Sequence, residues 1–408
     1  MNRVNSNIYR REGPSGTEIH NYLMSRKADF VDFLRDLTLT ESPSILPEPQ
    51  ERARQIIVER LEANAFRTLK LSGHKNGVSL FARPCKRERQ APLQLLLGHY
   101  DTVWPIGTLK DMPFEVDGNL VRGPGVYDMK GGITQIIFAL EALTYFVISP
   151  VVTPIIFANS DEEIGSRESA HYISRLARLA CRAFVLEPSL GRDGKLKTTR
   201  KGVGRFTVKI TGRAAHAGLD PEKGASAILE LSHVVQALFA MNDAEKGITV
   251  NVGTIEGGLR PNVVAPESAA VVDVRVRNKE DADRVTRAIY GLEPSVPGTS
   301  IAVEGGIGRP ALEPTARNRQ LWNLAKSLAS EVGLDLDEGQ AGGGSDGNTT
   351  SLYTATLDGL GPVGDGAHAR HEFLYLDETL RRTALLTLLL IAPPLSAPDA
   401  TGRSEAVG

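Results

Sequence analysis

Three short, almost uninterrupted apolar runs constrain this chain more than any other feature: Leu93-Gln94-Leu95-Leu96-Leu97, residues 151–158 and residues 183–186. Short apolar runs bounded by polar clusters read as strands buried on both faces, the condition of a parallel sheet covered by helices. Each run ends in ionisable side chains. The first leads into Gly98-His99-Tyr100-Asp101, the second into Asn159-Ser160-Asp161-Glu162-Glu163, the third into Glu187-Pro188-Ser189. Ligands of open α/β sheets bind beyond the carboxyl ends of the strands, so these stretches stand where a site belongs. His99 can offer a neutral imidazole to a metal. Asp101, two residues on in an extended chain, points to the same side and can accept the other ring N–H. Three successive acids are costly unless a cation neutralises them, although a solvated helix N-terminus also favours acids.

The rest of the chain reads in order. Helical spacing over 18–37 predicts a first helix, and 49–65 a second with a proline at its start, where it is tolerated. Residues 66–81 alternate like two strands around Gly73-His74-Lys75-Asn76-Gly77. The glycine-rich stretch Gly123-Pro124-Gly125-Val126-Tyr127-Asp128-Met129-Lys130-Gly131-Gly132 leads into a helix over 133–146. It is not a dinucleotide fingerprint: Asp128 stands where the third glycine is required, and an acid there repels a pyrophosphate and suits a cation. No Gly-Lys-Ser/Thr occurs, which excludes a P-loop. From Lys201 the texture changes to strand, helix, two strands, helix, strand, the ferredoxin-like order. Residues 201–310 therefore read as an inserted domain between two parts, 1–200 and 311–408, of an α/β domain. Helices are expected over 318–332 and 378–391.

Composition excludes several classes. With 408 residues, 41% hydrophobic and 24% charged, the chain can bury more than one core. A net charge of -2 without a basic stripe argues against a nucleic-acid partner. Cys85 and Cys181 supply neither a disulfide framework nor a thiolate zinc site. The first residues lack the apolar core of a secretory signal. The apolar run over 384–393 is interrupted by Thr387 and too short to span a bilayer. A cytoplasmic protein without a membrane partner is expected, with a disordered tail after Pro393.

The histidines and acids at strand ends and loop tips are His99, Asp101, Asp128, Glu162, Glu163, Glu187 and His368. Imidazole and carboxylate without thiolate suit zinc, manganese or cobalt and exclude a soft copper(I) site. Two histidines and three carboxylates suffice for two ions roughly 3.5–4 Å apart sharing one bridging carboxylate. With Asp101 turned to His99, one acid is then left for the proton transfer that a hydrolase needs.

Gly98-His99-Tyr100-Asp101-Thr102-Val103, the 123–132 loop, Asp161-Glu162-Glu163-Ile164-Gly165-Ser166, Glu187-Pro188, Ala215-His216-Ala217-Gly218, Gly343-Gly344-Ser345-Asp346 and Gly366-Ala367-His368 resemble, in this order, the M20 family of metallopeptidases and deacylases, in particular its glutamate carboxypeptidase branch. The match runs from about residue 90 to residue 380. Each motif alone is weak to moderate; the joint order is specific. The resemblance implies a zinc-exopeptidase-like three-layer α/β catalytic domain carrying a ferredoxin-like α+β lid and dimerisation domain. It implies two divalent ions, with Asp128 bridging, His99 and Glu187 on one, Glu163 and His368 on the other. Asp101 would orient His99 and Glu162 would be the general base. His216 would reach across a homodimer to polarise the scissile carbonyl. Asn262 and Arg275 would hold the substrate's free carboxylate.

The substrate implied is a small peptide or N-acyl amino acid. An acidic leaving residue, glutamate or aspartate, would find cations in Lys195 and Arg309, which stand where the inserted domain joins the first. An N-acyl amino acid deacylase, acting for example on acetylornithine, uses the same ligands and is the alternative. A non-catalytic binding protein on the same scaffold should have lost ligands or base, and here all are present. His371, close behind His368, departs from the pattern and reads as a surface residue.

Overall fold

The computed structural model describes residues 13–73 and 77–395. The tail beyond residue 395, the centre of the 73–77 turn and the first twelve residues, on which the absence of a signal was read, lie outside the described residues.

Helices Gly16–Ser25 (α1), Lys27–Thr38 (α2) and Pro47–Ala63 (α3) precede the antiparallel strands Phe66–Ser72 (β1) and Val78–Pro84 (β2). The apolar runs follow as Leu93–His99 (β3), Thr153–Asn159 (β4) and Ala180–Val185 (β5), separated by helices Gly131–Tyr145 (α4) and Ala170–Leu179 (α5). Next come Gly202–Thr211 (β6), Ala227–Phe239 (α6), Thr249–Gly257 (β7), Glu267–Val276 (β8), Lys279–Tyr290 (α7) and Ser300–Arg309 (β9). Ala316–Ala329 (α8), Ala355–Leu357 (β10) and Leu376–Ile391 (α9) close the chain.

The first sheet has the order β1-β2-β4-β3-β5-β10. Strand β3 is parallel to β4 and β5, and β10 is parallel to β5. Alternate residues of β3 feed two cores. Leu96 packs with Phe138, Leu386 and other side chains of α4 and α9, whereas Leu95 and Leu97 pack with Ile173 and Ala183 on the α5 side. Burial on both faces is why the run lacks polar alternation, and each leucine so buried contributes roughly 1.5–3 kcal/mol. Gln94 is the exception within the run. Its amide donates to Val152 O (2.7 Å) and Leu390 O (2.9 Å) and accepts from Arg182 Nε (2.9 Å). The expected helix over 18–37 is two helices. Arg26 leaves helical geometry (φ -100°, ψ 14°), so α1 packs on α9 while α2 packs on α4.

The chain divides into two compact units, one of residues up to Thr198 with Thr315–Gly339 and residues from Tyr353, the other of Thr199–Pro314 with Gln340–Leu352. Within the second unit the sheet order is β7-β8-β6-β9, antiparallel throughout. With α6 and α7 between the strands, this is the ferredoxin-like arrangement, closed over Phe206, Val208, Leu231, Val272 and Ile289. Gln340–Leu352 differs from the sequence reading, which assigned it to the first domain. Asn348 donates to Lys201 O (3.2 Å) and Pro310 O (2.7 Å), and Arg200 donates to Gly343 O (3.2 Å). No helix among the described residues is long and apolar enough to cross a membrane.

Candidate metal centre

The parallel strands deliver the polar residues to one place within the first unit. His99 ends β3; Glu162 and Glu163 form the turn after β4; Glu187 follows β5. Asp128 lies in the glycine-rich loop before α4, where the Asp128–Met129 peptide is cis. Its Oδ1 is 3.3 Å from His99 Nε2 and its Oδ2 is 3.6 Å from His368 Nε2. Glu187 Oε1 stands 3.6 Å from His99 Nε2, and Glu163 Oε2 is 2.9 Å from His368 Nε2. Ligand atoms of His99, Asp128 and Glu163 fall within 4.8 Å of one another, and so do those of His99, Glu162 and Glu187. His371 is exposed and joins neither group.

Asp101 meets both the His99 ring and the acidic turn. Its Oδ1 lies 3.4 Å from His99 Nδ1, which is closer still, 3.0 Å, to the Asp101 carbonyl oxygen. The carboxylate also accepts from Ser44 Oγ (2.6 Å) and from the backbone N–H groups of Glu162 (3.3 Å) and Glu163 (3.2 Å). The Asp101 carboxylate thus lies beside the imidazole and ties the acidic turn to the end of β3. Asp161 has a separate duty: its Oδ2 accepts from the N–H groups of Glu168 and Ser169, at the approach to α5.

These residues fit a divalent cation. His99 Nε2 and Glu163 Oε1 are buried and have no hydrogen-bond partner, a costly arrangement unless something else binds them. Charge points the same way. Burial lowers the His99 imidazole, but Asp101 and Asp128 outweigh it and hold the ring well above 6.5. The hydrogen bond to Glu163 lifts His368 to about 9. Burial pushes the Glu163 carboxyl up to about 8. The charges that draw protons onto these rings draw a metal ion equally well.

Glu372 is a residue that sequence reasoning missed. It is 1% exposed and accepts N–H groups from the Asp128 loop. Burial raises its carboxyl to about 7, against those N–H donors, which lower it. The strand pairing Phe373↔Arg122 brings it there, and nothing local in the sequence signals that register.

The remaining expected site residues belong to neither of these groups. In the second unit, the His216 loop pairs with the Asn262 loop: Ala217 N–H donates to Asn262 O (3.0 Å) and Val264 N–H to Ala215 O (3.0 Å). His216 Nδ1 accepts from Gly218 N–H (3.1 Å) and Leu219 N–H (3.2 Å), which leaves the ring proton on Nε2. Arg275 is gripped by Asp273, Nε to Oδ1 at 2.7 Å and Nη2 to Oδ2 at 3.0 Å. Arg309 faces Asp346 at 3.8 Å. In the first unit, Lys195 pairs with Asp337 at 2.9 Å.

The profile of peptidase family M20/M25/M40 matches residues 95–392. This chain belongs to peptidase family M20. Carboxypeptidase G2 of Pseudomonas sp. (strain RS-16) is 30% identical over 302 residues, 73% of each chain. Aminopeptidase PepT of Bacillus cereus shares the fold with a TM-score of 0.71 at 20% identity, over 91% of this chain and 98% of that one. A dinuclear metal binding M20 peptidase of Bacillus subtilis does so with a TM-score of 0.65 at 17% identity, over 92% and 98%. The M20 chain described here is a hydrolase of the metallopeptidase class, similar to carboxypeptidases, with candidate metal-binding groups at the carboxyl ends of its parallel strands.

Proposed function

We propose that this M20 chain is a two-metal carboxypeptidase that hydrolyses an amide bond next to a free carboxylate and releases the C-terminal amino acid, with glutamate or aspartate preferred. The observation that carries the reading is Asp128, whose two carboxylate oxygens face different histidines. His99 and Glu187 would complete one ion's shell, Glu163 and His368 the other's. The nitrogen and oxygen donors suit zinc, with cobalt or manganese next. Two such ions, when bound, would polarise the scissile carbonyl and acidify the attacking water.

The chain's own groups do the rest. Glu162 takes the proton of the attacking water and delivers it to the leaving nitrogen. Asp101 keeps His99 and the Glu162–Glu163 turn in register. His216, acting from a second copy, donates its Nε2–H to the carbonyl oxygen as charge develops there. Asn262 and Arg275 take the free carboxylate, the Arg275 fork being pre-set by Asp273. Lys195 and Arg309 would meet an acidic side chain, which must share each cation with Asp337 or Asp346. A homodimer through the second unit is supported by edge strand β7 and by the exposed Ile255 (63%) and Leu259 (72%).

The test is hydrolysis of N-acyl amino acids and dipeptides after chelation and after addition of zinc, cobalt or manganese. Chelation should abolish turnover and zinc should restore it, with N-acyl glutamate ahead of N-acyl alanine and leucine. Full activity of metal-free protein would end the reading. Faster turnover of N-acyl leucine or acetylornithine would put a deacylase in its place.

A further inference from the structure

A second carboxylate lies behind the metal-ligand set. Glu372 Oε1 accepts from the backbone N–H groups of Tyr127 (2.9 Å) and Asp128 (3.0 Å). Its Oε2 accepts from Gly125 N–H (2.9 Å) and from Trp104 Nε1 (3.0 Å). Two donors on each oxygen use the full acceptor capacity of a carboxylate. The loop they hold needs such an anchor. Gly123 and Gly125 have φ of 149° and 78°, and Asp128 and Met129 lie outside helical geometry.

Glu372 also belongs to the segment that carries His368. Ala369 N–H donates to Gly366 O (2.8 Å) and Glu372 N–H to Ala369 O (3.0 Å), so two successive turns connect His368 to Glu372. His368 itself has a φ of 61°, a strained value that these turns impose. One side chain therefore joins the loop of one ligand to the backbone of another.

We propose that Glu372 is a positioning residue of the metal centre: by holding Gly125, Tyr127 and Asp128 from the His368 segment, it sets the spacing at which the Asp128 carboxylate can serve two ions at once. The inference rests on the two-metal reading. Trp104 is the fourth anchor, fixing the chain just beyond His99 and Asp101 to the same carboxylate.

The experiment is a cobalt(II) titration of metal-free protein, followed by calorimetry and visible absorption, with thermal unfolding recorded beside it. Glu372→Gln keeps the shape but turns an NH2 group toward two donors. The wild type should take up two equivalents of cobalt. The variant should bind about 10–100-fold more weakly, the usual cost of losing a partner that orients metal ligands. Its cobalt spectrum should change, and the rise in Tm on metal addition should shrink. If Glu372→Gln does not fold, Glu372→Asp keeps the charge, withdraws the oxygens by one methylene and should weaken binding in the same sense. A merely structural role would lower the Tm of the metal-free protein and leave affinity and spectrum at wild-type values, and that result overturns the inference alone. A wild type that takes up no cobalt overturns the two-metal reading and this inference with it.

Discussion

Glu162 and Glu163 are adjacent acids to which the proposed reaction gives separate duties, and they offer the sharpest test at the scale of single residues. Glu163 Oε2 pairs with His368 and its Oε1 is buried without a partner, so Glu163→Gln should lose metal. Glu162→Gln should keep metal and substrate binding and lower kcat by on the order of 10²–10⁴, the scale of a proton-transfer group. Metal analysis beside kcat distinguishes the two, and the reverse pattern would mean the roles are exchanged. Asp101→Asn is a third case. An NH2 group there faces the N–H groups of Glu162 and Glu163, so folding should weaken by about 1–3 kcal/mol in urea unfolding. Activity should fall further, because His99 and the acidic turn both shift; unchanged stability and turnover would show that Asp101 anchors neither. The acids were legible in the sequence because each stands at the end of an apolar run. The grip of Asp273 on Arg275 was legible in principle, since residues two apart on a strand share a face. Glu372 was not, because its partners arrive through a pairing between strands some 250 positions apart.

At the scale of elements, the same runs that predict the parallel strands also show where local pattern ends. A uniform apolar period over 18–37 cannot reveal the break at Arg26, since arginine is a good helix former. Strand β9 runs on through two glycines to Arg309, because Gly305 and Gly306 continue the pairing with Phe206 and Arg205 although they lack side chains to alternate. Gly305 has a φ of 109°, and a Cβ there would meet Arg205 O at 2.2 Å, so only glycine carries the strand through. Arg182, at the heart of β5, is fully buried. Its guanidinium donates to Leu389 O (3.1 Å), Ala392 O (2.7 Å) and Pro393 O (2.8 Å), capping the carbonyl end of α9 and tying it to the sheet. Arg182→Leu fills much of the volume and leaves those carbonyls and Gln94 Oε1 without a donor. We expect a loss of roughly 3 kcal/mol or more in urea unfolding, with kcat per folded molecule unchanged. A loss below about 1 kcal/mol would mean that water serves the helix end instead.

For the whole molecule, the decisive question is whether one chain holds a complete site. The candidate ligands and Glu162 belong to the first unit, and His216 and Asn262 to the second. The second unit ends in the edge strand β7, with Ile255, Leu259, Ile228 and Leu229 exposed on it and on neighbouring segments. An edge of that kind pairs readily with its own copy, and a two-fold interface would then present each His216 to the other chain. The prediction follows from that symmetry. Under the proposed roles, Glu162→Gln chains lack the base and His216→Ala chains lack the carbonyl donor, so each homodimer should be nearly inactive. In a mixed dimer, the His216→Ala chain keeps its own Glu162 and receives His216 from its partner, which makes one site whole. The other site then lacks both groups. Random exchange of equal amounts makes about half the dimers mixed, each with one working site of two, so the mixture should recover about a quarter of wild-type activity. Recovery should require subunit exchange and rise with the time allowed for it. If tagged chains demonstrably exchange and activity stays at the level of the parents, His216 acts within its own chain or takes no part, and the edge of β7 has to be explained without catalysis.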